Sequence, residues 1–124
     1  VIGTITSGYY SPTHDSGLNR KFVKEYAQMF GPDDRPNFLS VDGYDGMAAI
    51  YAALEKTGGK TEDGAKLIDA LKGLSFESPR GPISIDPQTR DITQNVYLRE
   101  VKRDGKHLVN VEFDKIADVK AAKP

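Results

Sequence analysis

Two hydrophobic periods alternate along this chain. "VIGTIT" is a short β-branched run that reads as a strand and breaks at Gly8, with Ser11-Pro12 leading into a loop. Leu18, Phe22, Tyr26 and Met29/Phe30 then recur at intervals of three and four, which predicts a helix over about 17–30 with one apolar face. Asp15 or Ser16 suits its start, and Gly31-Pro32 stops it. A second helix is expected over about 43–57, capped by Asp42, with Asp45 at the positive end of its dipole and Gly58-Gly59 at its close. Met47 to Leu54 is apolar without interruption, so this helix is expected to be covered on most sides. A third helix, about 62–72, takes Thr61 as its cap and turns Leu67, Ile68 and Leu71 inward.

The pattern then changes to period two. Ile83-Ser84-Ile85 reads as a short strand and "DPQTRD" as a turn. "QNVYLREV" and "HLVNVEF" form a hairpin around Asp104-Gly105, with Val109, Val111 and Phe113 on one face. The last residues, "KAAKP", are expected to fray. These elements leave a deficit. The second helix needs more partners than two helices and a few short strands supply. The opening strand has no evident neighbour, and two strands alone are marginal.

Composition narrows the function classes. The 124 residues suffice for one small domain, 38% hydrophobic and 28% charged. Seventeen Lys and Arg against eighteen Asp and Glu leave a formal charge of −1, with no electrostatic footprint for nucleic acid or an anionic membrane. The absence of cysteine removes disulfides and thiolate chemistry and locates the protein in no compartment. No N-terminal segment pairs a basic start with an apolar core, as a secretory signal does. A chain that opens on Val1 inside a strand reads as a mature piece or a fragment.

Candidate chemistry is sparse. Asp86 and Asp91 lack the ligand density of a calcium loop and read as turn residues. Gly59-Lys60-Thr61 resembles the end of a phosphate loop, but Leu54 stands where that loop needs glycine. His14 and His107 have no ligand spacing and read as surface residues. Tyr9-Tyr10 after a strand and Asn37-Phe38 before a helix sit where loops wall crevices in α/β proteins.

The order of segments resembles a known family. "GTITSGYYSP", "NRKFVKEYAQMFG", "GYDGMAAIYAALEKTGG" and "LIDALKGLSFESPRGPISIDPQTRDITQNVYLREV" together are similar to the C-terminal third of periplasmic solute-binding proteins of ABC importers, of the leucine/isoleucine/valine-binding type. The resemblance runs from Gly3 to about Phe113, and the ordered set carries it rather than any single motif. It implies an α/β fold: a fragment of the two-lobed type I fold, with three helices, an opening strand and a C-terminal hairpin. On that pattern residues 1–6 are one crossing between lobes, 7–92 part of the first lobe, 93–95 another crossing, and 96–124 part of the second lobe.

The resemblance further implies a periplasmic protein that captures branched-chain or hydrophobic amino acids, or related aromatic carboxylates, by hinge closure. It implies no cofactor, metal or catalytic residue. Its partners are the small ligand, a membrane permease, and either the remainder of the same protein or a second copy of this fragment, with no nucleic acid. Tyr10, Asn37 and Phe38 fall near the family's cleft and are the candidate ligand-binding residues. The competing expectations are an independent α+β interaction or sensory domain, and a hydrolase using His14 with Asp15 or Asp42.

Overall fold

One strand organises the molecule. In the computed structural model, which describes residues 1–121, β4 (Ile92–Asp104) is bonded along one edge to β5 (His107–Val119). Its other edge is shared. β3 (Gly81–Ile85) pairs with its first residues and β1 (Ile5–Gly8) with its later ones. β2 (Ser75–Ser78) pairs with β3, and every pairing is antiparallel. At 13 residues, β4 is long enough to serve two partners in succession. The opening strand therefore has a neighbour after all, with Ile5 opposite Glu100 and Gly8 opposite Tyr97. It lies later than expected, because Gly3 takes φ 84° and turns the first residues aside.

The hairpin turn is shifted by one residue. Asp104 faces His107, so Gly105 and Lys106 form the loop, and Gly105 supplies the positive φ of 58° that a two-residue turn requires. Along β5 only Val109 of the expected apolar set is buried, and Phe113 is exposed. Gly81 opens β3 at φ 98°, with the Tyr97 hydroxyl so close that an added Cβ would lie 2.6 Å from it. Glycine is required there on both counts. In the turn after β3, Asp86 accepts from the amides of Gln88 and Thr89 at 2.8 and 3.0 Å, and Thr89 from that of Asp91. Expected residues 122–124 of the fraying tail lie outside the described ones.

Three helices lie between β1 and β2. α1 (Gly17–Phe30) has the expected bounds, with Ser16 accepting from the Asn19 amide as its cap. α2 (Phe38–Lys56) starts five residues before the expected 43. Asn37, not Asp42, caps it: Asn37 and Ser40 each accept from the other's backbone amide, a capping box that satisfies two otherwise orphaned donors. α3 (Gly64–Leu71) is capped by Asp63 rather than Thr61, because the Asp63 carboxylate reaches the amides of Ala65 and Lys66.

The buried apolar cluster is small: Tyr10, Phe22 of α1 and Val41 of α2, flanked by Tyr9 and Tyr26. The apolar run of α2 is covered only in part. Ala53 is buried, but Met47, Ile50 and Tyr51 are 46%, 48% and 60% exposed, so the cover on most sides expected for this helix is absent from this chain.

Candidate functional site

The sheet has two faces of opposite character. Phe76, Ile83 and Gln94 are successive cross-strand neighbours, as are Ile85 and Ile92, so all five project to one face. α2 lies over them. Its residues Asp42, Asp45, Gly46 and Ala49 follow helical spacing and face the strands. Between helix and sheet is an open cavity of about 400 Å³. Its floor is apolar and its rim carries Tyr9, Asp42, Asp45, Arg80 and Gln94.

Arg80 is the hub of the rim. Its Nε donates to Asp45 Oδ2 at 2.7 Å, with both side chains more than nine-tenths buried. Its Nη1 donates to Gln94 Oε1. Its guanidinium lies 4.7 Å from the Tyr9 ring centroid, a cation–π contact. The Tyr9 hydroxyl in turn donates to Asp42 Oδ2 at 2.9 Å, and the Tyr9 ring meets Phe38 edge-on at 6.4 Å. Burial, and then the hydrogen bond to Asp42, raise the Tyr9 phenol above its ordinary pKa, so Tyr9 is held as a donor. The second oxygen of Asp45 is buried with no hydrogen-bond partner.

On the opposite face, the loop after β1 is strapped to the hairpin. Ser11 and Thr13 hydroxyls both donate to the Asn110 carbonyl, at 2.5 and 2.6 Å, and Thr6 donates to the Asn110 side chain at 2.7 Å. Arg99 donates to the carbonyls of Tyr10 and Ser7. His14 meets Glu112 at 2.8 Å and packs on Tyr97 with ring centroids 5.0 Å apart. The expectation that His14 is a surface residue is therefore corrected: its side chain is 13% exposed, because the strap folds it against β5.

The pairing of His14 with Asp15 or Asp42 that a hydrolase reading expects is not formed. Asp15 pairs with Arg20 and Asp42 with Tyr9, so neither orients His14. The hydroxyl stacked beside His14, on Tyr97, donates to the Arg80 carbonyl. Among the described residues, no three His, Asp or Glu side chains gather as a metal set, and no helix is long and apolar enough to cross a membrane.

The three candidate residues separate. Tyr10 is 4% exposed, and its hydroxyl donates to Asn19 Oδ1 at 3.0 Å. Asn37 spends its side-chain oxygen on the start of α2. Phe38 is 53% exposed beside Tyr9. Tyr9, Asp42, Asp45, Arg80 and Gln94 form the rim, and of these only Tyr9 drew attention as a wall residue from sequence.

Similarity to known proteins decides the family. The periplasmic binding protein profile matches residues 1–106 of this chain. The chain belongs to the periplasmic binding protein family. A curated member, the Leu/Ile/Val-binding protein homolog 6 of Brucella abortus (strain 2308), is 50% identical over 103 residues, 83% of this chain and 26% of that protein. A solute-binding protein of an ABC transporter from Rhodopseudomonas palustris BisB5, solved with 3,4-dihydroxybenzoic acid, superposes with TM-score 0.90 at 50% identity, covering 96% of this chain and 32% of its own. Another, from Rhodopseudomonas palustris HaA2 with p-hydroxybenzoic acid, gives TM-score 0.84 at 41% identity over 94% of this chain and 32% of its own. The chain thus spans about a third or less of these binding proteins' length. The fold is α/β, as a fragment of the type I binding-protein architecture.

Proposed function

We propose that this chain is part of the ligand-capturing component of an ABC importer, and that the complete protein binds an aromatic carboxylate by closing two lobes around it. One observation carries the reading: over 96% of the chain, half the residues match a solute-binding protein that holds 3,4-dihydroxybenzoic acid. Tyr9 on the rim, with Phe38 edge-on beside it, supports the same ligand class. A branched-chain amino acid is the competing ligand, favoured by the name of the Brucella relative. The protein works in the periplasm and passes its ligand to a membrane permease, with no catalytic step and no cofactor.

The lobe division follows the sequence reading. Residues 1–6 and 93–95 cross between lobes, 7–92 belong to the first and 96 onward to the second. On this division Ile5 and Thr6 of the first crossing pair with Glu100 and Arg99, a few residues beyond the second crossing, whose Thr93 and Gln94 pair with β3. Phe38 would touch the ligand, while Tyr10 and Asn37 hold the loop and helix that carry the rim. The exposed α2 face would pack on the remainder of the same protein, or on a second copy of this fragment. That uncovered face also counts against the self-contained interaction or sensory domain.

The test is calorimetry on the complete protein with 3,4-dihydroxybenzoate, 4-hydroxybenzoate, benzoate, leucine, isoleucine and valine. Binding of a benzoate with micromolar affinity, on the order of −8 kcal/mol, is expected. Binding of the amino acids with no benzoate overturns the ligand class. The isolated 124-residue chain should bind at least about a hundredfold more weakly, because its open cavity cannot bury most of a ligand.

A further inference from the structure

The rim described above is not neutral toward the two ends of a ligand. We propose that Asp42, oriented by Tyr9 and flanked by Phe38, receives the hydroxyl-bearing end of an aromatic carboxylate, and that the partners of the ligand's carboxylate lie outside this chain. The inference rests on the aromatic-carboxylate reading and deepens it.

Charge makes the first argument. The cavity lining holds two carboxylates, Asp42 and Asp45, and one cation, Arg80. The charge of that cation is already balanced: Nε is on the Asp45 carboxylate, Nη1 on Gln94, and the guanidinium lies against the Tyr9 ring. A ligand carboxylate placed here would meet Asp42, with no cation in the lining beyond the one that Asp45 balances. Hydrogen-bond capacity makes the second. Gln94 and Asp45 turn oxygens to Arg80, and Asp45 Oδ1, on a side chain only 7% exposed, still has no donor. The carboxylate oxygens of exposed Asp42 and of Asp45 therefore keep acceptor capacity, and a ligand group that donates fits them.

Shape makes the third argument. Asp42 is exposed, and one of its oxygens is fixed by the Tyr9 hydroxyl at 2.9 Å. That bond aims the carboxylate without exhausting it, since a carboxylate offers about four acceptor sites. Phe38 stands edge-on to Tyr9 and half-exposed, so a planar ring can lie against it while its hydroxyl reaches Asp42.

The experiment measures the affinity of the complete protein for 4-hydroxybenzoate, 3,4-dihydroxybenzoate and benzoate, as wild type and as Asp42→Ala and Asp42→Asn. Wild type is expected to prefer at least one hydroxylated ligand over benzoate by about tenfold or more, since a site built to bond a hydroxyl discriminates against its absence. Asp42→Ala should reduce that preference to about threefold or less, and Asp42→Asn, which keeps one acceptor, should retain part of it. If wild type shows no preference, or Asp42→Ala preserves the preference, the inference is overturned while the aromatic-carboxylate reading stands. If none of the three benzoates binds, both fall together.

Discussion

The two faces of the β4-centred sheet teach different things about this chain. On the strap face, side chains close on one another: Ser11, Thr13 and Thr6 on Asn110, Arg99 on two carbonyls, and His14 on Glu112. The Nε of Arg99 and one oxygen of Glu112 are buried there without a partner, and a cavity of about 460 Å³ opens beside His14, Tyr97 and Glu112. On the helix face the reverse holds. A cavity stays open under α2, and the far side of α2 exposes Met47, Ile50 and Tyr51 beside Phe30 and Met29 of α1. The grooved surface between those helices encloses about 750 Å³, a large apolar patch for a chain of this size. One face is tied together by polar contacts and the other presents uncovered apolar surface, which fits a chain that spans about a third of its relatives.

Arg80 joins the two faces, so its loss is expected to have the largest effect. Its side chain pairs with Asp45 on the helix face, and its carbonyl accepts from Tyr97 on the strap face. Arg80→Ala leaves the Asp45 carboxylate buried without a cation, at a cost of about 3–5 kcal/mol in chemical denaturation. Replacing both, as Arg80→Met with Asp45→Leu, should recover most of that loss, because the pair is then exchanged for apolar volume. A single variant within about 1 kcal/mol of wild type would mean that the buried Arg80–Asp45 pair is not a principal support of the fold, since the backbone carbonyl that accepts from Tyr97 is kept.

The helix face itself can be tested by placing charge on it. In the 124-residue chain, Ile50→Glu with Tyr51→Glu should change stability by no more than about 0.5 kcal/mol, since both side chains already face water. It should also lower self-association, read by light scattering. In the complete protein the same pair is expected to cost on the order of 3 kcal/mol, because the charges would be buried against the covering part. Equal effects in the two contexts would remove the argument that α2 is unfinished here.

The sequence was legible where structure is local. The spacing of Leu18, Phe22 and Tyr26 located α1 to the residue, and the alternation around Val96-Tyr97-Leu98 marked the centre of β4. The start of α2 was missed because its capping box, Asn37 with Ser40, uses serine at the position where glutamate is the familiar signal, and Asp42 offered a plausible cap further on. The rim was illegible for another reason. Asp45 and Arg80 are 35 residues apart, and His14 and Glu112 98, and no spacing rule connects such pairs. Adjacent tyrosines posed a parity problem: Tyr10 enters the core and Tyr9 the rim, and a run of two identical residues does not say which goes where.

The smallest expected effect comes from the turn that links β3 to β4. Asp86 accepts the amides of Thr89 and Gln88, and these bonds hold its carboxyl below its ordinary pKa. A group whose folded pKa is depressed stabilises the fold above its unfolded value, near 4, and that contribution fades as pH falls through the folded value. Asp86→Asn keeps a side-chain oxygen for both amides and gives up only the charge. Its melting temperature should therefore lie slightly below that of wild type at neutral pH, and the gap should close on acidification below about pH 4. A gap that is constant with pH would assign the effect to turn geometry instead of charge. A melting-temperature loss at neutral pH as large as that of Arg80→Ala would break the contrast from the other side, because it would place a principal support of the fold in an exposed turn rather than at the seam between the faces.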